Sequence, residues 1–325
     1  MLAVVADQSQ IAEARRVAAD MARFGGFDET AAGRVALVAT ELATNLLKHA
    51  GGGDILMRNF ADGDSAGIEL LVLDKGPGIG DLRRALGDGY STAGSPGNGL
   101  GAIRRQSDEF AIWSRSGMGT AIVARIRARA ASGPAIIGAV THPCPGETIC
   151  GDAWRFAALE AGPALVLADG SGHGAAAATA AEKAAAAFLG APNVDAVRQM
   201  QLIHRALAST RGAAAAIARL DLGERMVRFV GVGNISAAVT SGAGMKRMVS
   251  HSGTLGHVAP RIREFTYPWE SGATVILHSD GVSPRWSLDD YPGLATSHPS
   301  LIAGILFRDH RRGKDDAAVV AMRVT

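Results

Sequence analysis

The hydrophobic pattern of the first part of the chain alternates between helical and extended periods. Ser9–Phe24 carries apolar residues at helical spacing and stops at two glycines, and Asp28–His49 is a longer helical stretch that stops at three glycines. Strand-like runs and one further helix follow. The predicted strands are Asp54–Phe60, Gly67–Leu73, Glu109–Ser114 and Thr120–Arg127, and the predicted helix is Leu100–Asp108. This order predicts an α+β sandwich and not regular βαβ units.

The rest of the chain is dominated by short apolar runs typical of strands. Two long alanine-rich stretches, Ala175–Leu189 and Val194–Ser209, interrupt these runs and are predicted to be helices. The predicted strands are Ala135–Thr141, Arg155–Leu159, Ala164–Ala168, Ala214–Asp221, Met226–Val232, Ser236–Ser241, Thr274–Ser279 and Ala317–Arg323. Many strands with two inserted helices predict a β-sandwich flanked by helices.

A domain boundary is predicted where the sequence reads ARAASGP, over Ala128–Pro134. Small residues that end in proline are typical of linkers. A chain of 325 residues is also long enough for two domains. We therefore expect a first domain at residues 1–128, a linker at 129–135 and a second domain at 136–325.

Composition and charge narrow the class of protein. Hydrophobic residues make up 47% of the chain, which is enough for a core in each half, and the net charge of +2 gives no reason to expect a nucleic-acid partner. Two cysteines cannot form a disulfide framework. The sequence shows neither a signal peptide nor an apolar run long enough to span a bilayer. We expect a cytoplasmic protein that has no membrane partner.

The first group of candidate functional residues lies on the second predicted helix and in the loops after it. Glu41 and Asn45 are four residues apart and share a helix face. Asp74 follows a predicted strand, and a glycine-rich run precedes the helix at Leu100. An acid, an amide and a glycine-rich loop suit a magnesium-bound nucleotide. The alternative for each motif alone is a solvated helix face or an ordinary turn.

These residues carry a family resemblance over nearly all of residues 1–128. ELATNLLKHA, DKGPGI, GNGLG and the pair Gly119-Thr120 resemble the ATP-binding motifs of the GHKL ATPases, which include histidine kinases and gyrase. AGGGDI and DEFAIWSRSGMGTAI are most similar to the RsbT branch of the RsbT- and RsbW-type serine kinases of bacterial partner-switching systems.

The resemblance implies a GHKL α/β sandwich that binds ATP with Mg²⁺. It implies that Glu41 activates a target serine, that Asn45 holds Mg²⁺ and that Asp74 binds the adenine amino group. The remaining residues would shape the nucleotide pocket and its lid; they are Gly76, Gly78, Gly99, Leu100, Gly101 and Thr120.

The second group consists of aspartates at the ends of predicted strands: Asp152, Asp169, Asp280 and the pair Asp315 and Asp316. Buried carboxylates repel one another unless a cation or a proton compensates. Carboxylates that converge favour Mg²⁺ or Mn²⁺. One alternative is that the Asp-Gly pairs are turns. Another is that Gly170–Ala175 forms a dinucleotide-binding turn, although the regular βαβ context is missing.

The second pattern resembles the metal-dependent type 2C protein phosphatases of the SpoIIE and RsbX branch, over about residues 136–325. The matching segments are PGETICGDAW, LVLADGSGHGAAAA, VGVGN, LHSDGV and KDDAAVV. The resemblance implies a β-sandwich phosphatase with two Mn²⁺ or Mg²⁺ ions. Their ligands would be Asp152, Asp169, the Gly170 carbonyl, Asp280 and Asp315, with Asp315 preferred to Asp316.

Together the two resemblances favour a bifunctional switch enzyme. Its kinase and phosphatase activities would act on a small STAS-type regulator in a sigma-factor or stress-response pathway, and other switch proteins of that pathway are possible partners. In the alternative hypothesis the first domain only senses ATP or binds a sigma factor, and the chain is a phosphatase. A third reading, a dinucleotide-dependent enzyme, predicts NAD(H) binding at Gly170–Ala175, which we do not expect.

Overall fold

The computed structural model describes residues 1–62, 65–86, 99–129, 135–241, 244–257 and 261–324. Contacts divide the chain into two compact units, Met1–Gly133 and Pro134–Thr325. Most of the predicted linker lies outside the described residues; Arg129 ends one strand and Ala135 begins the next. Among the described residues, the helices are all too short or too polar to cross a membrane.

The first unit packs helices against one face of an antiparallel sheet. In its described part the strand order is β1-β2-β3-β5-β4. The strands are β1 (Leu2–Val5), β2 (Gly53–Asp62), β3 (Ser65–Leu73), β4 (Glu109–Ser114) and β5 (Thr120–Arg129). The helices are α1 (Gln8–Phe24), α2 (Glu29–Asn45), α3 (Leu82–Ala85) and α4 (Leu100–Gln106). A π-helix, Leu46–Ala50, continues from α2.

Local sequence signals explain the two long helices of this unit. Asp7 caps α1 in a capping box with Gln10, and the Asp28 side chain accepts a hydrogen bond from the Ala31 N–H at the start of α2. Alternate residues of β2 and β3, such as Met57 and Leu70, pack against the apolar faces of these helices. The hydrophobic pattern does not predict β1 and α3, each of which is only four residues long.

The second unit stacks two antiparallel sheets between helices. Within the described ranges the sheet orders are β13-β10-β9-β8-β7 and β12-β11-β14-β15-β6. The first sheet contains β7 (Asp152–Ala157), β8 (Ala164–Gly170), β9 (Ala213–Asp221), β10 (Met226–Val232) and β13 (Phe265–Pro268). The second contains β6 (Ala135–His142), β11 (Ser236–Ser241), β12 (Gly244–Met248), β14 (Thr274–His278) and β15 (Ala317–Val324). The helices are α5 (Ala175–Leu189), α6 (Ala196–Ala206) and α7 (Pro299–His310).

Strand alternation divides the side chains of this unit between two cores. Leu165 and Leu167 of β8 join the core between the sheets, whereas Val166 and Ala168 join the core under α5 and α6. The alanines of α5 let the helix approach β8 so closely that a Cβ at Gly170 would overlap the carbonyl oxygen of Ala177. The helix α7 packs on β6 and β15. The predicted helix-flanked β-sandwich is therefore confirmed.

The course of the chain around α5 bears on the dinucleotide interpretation. The strand β8 pairs antiparallel with both β7 and β9, and the chain runs from β8 through α5 and α6 into β9. A dinucleotide fold needs a helix that crosses between parallel strands. Because α5 does not connect parallel strands, the fold does not support a Rossmann site at Gly170–Ala175. The start of β7 also corrects the prediction, because the strand begins at Asp152 and not at Arg155.

A buried ion-pair network crosses the sheet of the first unit on the face opposite the helices. Arg125 is fully buried, and its Nε lies 2.8 Å from Oε2 of Glu69, which is itself 1% exposed. Arg58 pairs with the same carboxylate, and Glu109 pairs with both Arg125 and Arg127. When one charge of a buried pair is removed, the other remains buried without compensation, and the folded state is destabilised.

We predict that Arg125→Met lowers the free energy of unfolding by about 3–5 kcal/mol, because Glu69 would keep its burial but lose a partner. The matched control is Arg23→Met, which breaks the exposed pair of Arg23 with Asp20 and should cost about 1 kcal/mol or less. Urea unfolding curves of the two variants measure the difference. Equal decreases in the free energy of unfolding would show that the buried ion pair stabilises the fold no more than the exposed one.

Candidate functional site

The first candidate site is a cavity of about 620 Å³ in the first unit. Its walls come from α2, the π-helix, the loop after β3, the start of α4 and the start of β5. The lining brings together seven of the nine predicted residues of this unit: Glu41, Asn45, Asp74, Gly78, Gly99, Leu100 and Thr120. Gly76 and Gly101 are not in its lining, although Gly76 adjoins Asp74. The volume lies in the range of small-molecule pockets.

Glu41 and Asn45 face the cavity from neighbouring turns of α2. Burial raises the pKa of Glu41 above its ordinary value. A carboxylate whose pKa is raised is a stronger base when it is ionised. The Nδ2 atom of Asn45 is buried and lacks a hydrogen-bond partner among the described residues. A buried amide of this kind points to a ligand.

Backbone hydrogen bonds fix one oxygen of Asp74. Its Oδ1 accepts the N–H of Gly76 at 2.8 Å and the N–H of Thr120 at 3.1 Å. A Cβ at Gly76 would lie 2.8 Å from the Ala50 Cβ, and Gly78 has a φ of +71° beside Arg115. These positions need glycine because the loop is pressed against the π-helix and the turn after β4. Asp74 is thereby held in the cavity wall.

Only part of the glycine-rich segment lies within the residues that the structure describes. Gly97 and Asn98 of GNGLG lie outside the described residues, whereas Gly99 precedes α4 and Leu100 begins it. Gly101 is buried within α4. The predicted lid therefore stays a prediction.

The second candidate site gathers carboxylates at one end of the β-sandwich. Asp152 of β7 and Asp169 of β8 are cross-strand partners. Asp280 follows β14, and its Oδ2 accepts a hydrogen bond from Asn234 Nδ2 at 2.5 Å. The backbone of Gly281 approaches that of Asp316 so closely that a Cβ on the glycine would overlap the Asp316 carbonyl oxygen. The strand ends bring the predicted aspartates to one region.

Of the two adjacent aspartates before β15, the structure buries the second. Asp316 is 3% exposed and its Oδ1 accepts the Cys144 N–H at 2.8 Å, whereas Asp315 is half-buried and its Oδ1 accepts the Asp316 N–H. The family resemblance implies Asp315, and not Asp316, as a ligand. Both carboxylates raise the pKa of Asp152 and of Asp169, so both lie near the site.

The negative charges of these aspartates lie close together, and their pKa values are raised. Burial raises the pKa of Asp152 to about 7 and that of Asp169 to about 8, and the neighbouring carboxylates add to both shifts. Burial and then Asp315 raise the pKa of Asp280. Asp152 Oδ1 and Asp316 Oδ2 are buried without hydrogen-bond partners in the described part of the chain. Such atoms call for a cation or a proton.

The donor set fits a hard divalent cation better than a closed structural metal site. Among the described residues, no three His, Cys, Asp or Glu side chains are already gathered as a ligand cage. Mg²⁺ is typically held by one or two carboxylates and keeps several waters, so it does not require such a cage. The orphaned carboxylate oxygens are of the ligand type that Mg²⁺ and Mn²⁺ prefer.

The structure also shows polar residues that the sequence analysis did not single out. Ser279 Oγ donates to Asp152 Oδ2 at 2.6 Å, and Asn234 Nδ2 donates to Asp280 Oδ2 at 2.5 Å. Ser279 and Asn234 each stand inside a quoted motif, LHSDGV and VGVGN, which was the available signal. Only the folded chain reveals which aspartate each of them contacts.

Two family models match the chain. The histidine kinase-like ATPase domain matches residues 4–126, and stage II sporulation protein E (SpoIIE) matches residues 160–325. The serine/threonine-protein kinase RsbT of Bacillus subtilis (strain 168) is 38% identical over 114 residues, which cover 35% of this chain and 86% of RsbT.

The second unit has relatives of its own. The phosphoserine phosphatase RsbX of Bacillus subtilis (strain 168) is 27% identical over 141 residues, which cover 42% of this chain and 70% of RsbX. The crystal structure of RsbX in complex with magnesium aligns with a TM-score of 0.53 and 20% identity over 60% of this chain and 98% of that structure. At that identity the structural likeness supports the fold alone.

We predict that in EDTA the melting temperature of the protein falls as the pH rises from about 4 to about 8. The folded-state pKa values of Asp152 and Asp169 are raised above the ordinary value of 3.8. Their protons therefore stabilise the fold fully below that value, and this contribution is lost as the pH passes about 7 and about 8.

Differential scanning calorimetry over a pH series measures this effect. Asp152→Asn is the matched comparison, because its neutral amide cannot lose a proton and its profile should be flatter. Identical profiles for the wild type and this variant would contradict the prediction.

Proposed function

Because this chain belongs to the SpoIIE family through its second unit, and to the RsbT-like group of histidine kinase-like ATPases through its first, we propose that it is a two-activity signalling switch. The first unit would phosphorylate a serine or threonine of a small STAS-type regulator in a sigma-factor or stress-response pathway. The second would remove that phosphate. The relatives RsbT and RsbX, a kinase and a phosphoserine phosphatase, support this pairing of activities.

The kinase proposal rests on the cavity that gathers Glu41, Asn45 and Asp74. ATP with Mg²⁺, when bound, supplies the phosphoryl group. Glu41 would take the proton of the target hydroxyl as its oxygen bonds to phosphorus, with ADP as the leaving group. Asn45 would hold Mg²⁺ through its side-chain amide oxygen. Asp74, whose Oδ1 is fixed by two backbone N–H groups, would accept the adenine amino hydrogen on its other oxygen.

The phosphatase proposal rests on the buried carboxylates of the second unit and their two orphaned oxygens. Two Mn²⁺ or Mg²⁺ ions, when bound, supply the positive charge that activates water for attack on phosphorus. Asp152, Asp169, Asp280 and Asp315, with the Gly170 carbonyl, would hold these ions. Burial and the unsatisfied oxygen make Asp316 a further candidate. The serine oxygen would leave and take a proton, so that inorganic phosphate is the second product.

A second candidate function keeps the phosphatase but limits the first unit to binding. In that case the unit would sense ATP or hold a sigma factor and transfer no phosphate. The half-buried Glu41 with its raised pKa favours a catalytic role, because a nucleotide sensor needs no base at that position.

We predict that Glu41→Gln reduces phosphate transfer from labelled ATP to a purified STAS-domain regulator by about 10²–10⁴-fold, because the amide cannot accept the hydroxyl proton. ATP binding, measured by calorimetry, should persist. The control Glu29→Gln removes an exposed carboxylate from the first turn of the same helix and should leave transfer unchanged. Full transfer by Glu41→Gln would refute the kinase assignment, and a wild type that binds ATP without transfer would favour the sensor.

We predict that Asp169→Ala and Asp280→Ala each reduce Mn²⁺-dependent release of phosphate from the phosphorylated regulator by at least about a hundredfold, since a ligand to the ions is lost. The control Glu160→Ala removes an exposed carboxylate of the same unit. Release of phosphate is followed with malachite green. Undiminished release in EDTA would exclude the metal-dependent mechanism.

A further inference from the structure

The Ser279 side chain joins the buried carboxylate Asp152 to the strand β15. Ser279 is fully buried, its Oγ lies 2.6 Å from Asp152 Oδ2, and the same Oγ accepts the Ala318 N–H at 2.9 Å. The Ser279 backbone N–H also donates to the Ala318 carbonyl. The hydroxyl is therefore fixed by its own strand pairing before any ligand arrives.

The direction of the hydroxyl proton follows from these contacts. A serine hydroxyl has one proton to donate, and the Ala318 N–H already occupies its oxygen as a donor. The proton consequently points at Asp152, which accepts it on Oδ2. A donated hydrogen bond favours the ionised carboxylate and opposes the burial that favours the protonated one. Asp152 Oδ1 remains buried and without a partner in the described structure.

A second chain of hydrogen bonds, through Trp286 and His278, reaches the backbone carbonyl of Ser279. The Trp286 indole N–H donates to His278 Nε2 at 3.1 Å, which leaves the proton of the neutral ring on Nδ1. Nδ1 in turn lies 2.9 Å from the Ser279 carbonyl oxygen. These contacts fix the backbone of Ser279, and its Oγ is held separately by Asp152 and the Ala318 N–H.

Asn234 makes a similar hydrogen bond to Asp280. Its Nδ2 donates to Asp280 Oδ2 at 2.5 Å from the loop between β10 and β11. The Asn234 side chain is exposed, so this contact is not explained by packing. Each of the two carboxylates thus has one oxygen held by a neutral donor.

We propose that Ser279 and Asn234 are positioning residues that orient Asp152 and Asp280 for a divalent cation, by binding one carboxylate oxygen of each and presenting the other. The inference deepens the proposed phosphatase site and rests on it. Neutral donors suit this task, because a lysine or arginine would compensate the carboxylates and compete with the cation.

The test is Mn²⁺ binding to the full chain, measured by isothermal titration calorimetry without ATP or substrate. Asp280→Ala provides the background from other sites. We expect Ser279→Ala and Asn234→Ala to weaken Mn²⁺ binding by about 10–100-fold. Ser279→Thr, which keeps the hydroxyl, should restore most of the affinity. Ser250→Ala removes a hydroxyl that donates to the Ile235 carbonyl in the same unit, and should leave affinity unchanged.

The outcomes separate the inference from the function on which it rests. A wild type that binds no Mn²⁺ above the Asp280→Ala background overturns both. A wild type that binds Mn²⁺ while the folded Ser279→Ala and Asn234→Ala variants bind it equally well overturns the positioning role alone. If Ser279→Ala fails to fold, the exposed Asn234 still decides, because unchanged affinity in Asn234→Ala overturns the proposal and a loss supports it.

Discussion

The repulsion among buried carboxylates at one end of the β-sandwich is the constraint on which the second unit depends. Asp152 and Asp169 face each other across β7 and β8, and burial raises the pKa values of both to about 7 and about 8. A unit built only for stability gains more from apolar or paired residues at such positions. The fold keeps these carboxylates together, and either a proton or a cation can compensate their charge.

The backbone around the aspartates is tightly packed. Side chains at Gly151, Gly170 and Gly281 would collide with the Asp316 side chain, the Ala177 backbone and the Asp316 backbone respectively. The glycines thus let β14, β15 and α5 close on the site. Interiors packed in this way transmit strain instead of absorbing it. Protonation and cation binding are two ways in which the charge of such a cluster can be compensated.

The periodicity of the sequence predicted elements with a clear alanine-rich or apolar pattern, but neither the shortest elements nor a helix that is almost fully buried. The helix α5 and the strand β10 lie at their predicted bounds, because alanine-rich and alternating apolar runs decide structure locally. The four-residue strand β1 and the helix α7 were missed. The helix α7 is buried along most of its length, so its sequence lacks the polar face that marks a surface helix.

Candidate site residues could be predicted where they lie in a sequence motif, but the residues to which they hydrogen-bond could not. Asp152 and Asp280 stand out in the sequence because they border glycines at strand ends. The contacts with Ser279 and Asn234 join positions 127 and 46 residues apart. Such contacts depend on strand order, which hydrophobic periodicity does not determine. The burial of Asp316 in place of Asp315 likewise follows from the start of β15.

The two candidate sites impose different demands on whatever regulates the protein. Under the proposed function, the cavity of the first unit would take a ligand that carries its own phosphoryl group, whereas the carboxylates of the second would act on a phosphorylated partner with bound cations. Kinase and phosphatase steps on the same hydroxyl sum to the hydrolysis of ATP, so both running freely would do no work. Because both would use a divalent cation, cation supply alone cannot separate them. In the proposed switch, the bias would come from the form of the partner protein that is presented or from a signal that acts on one of the two units.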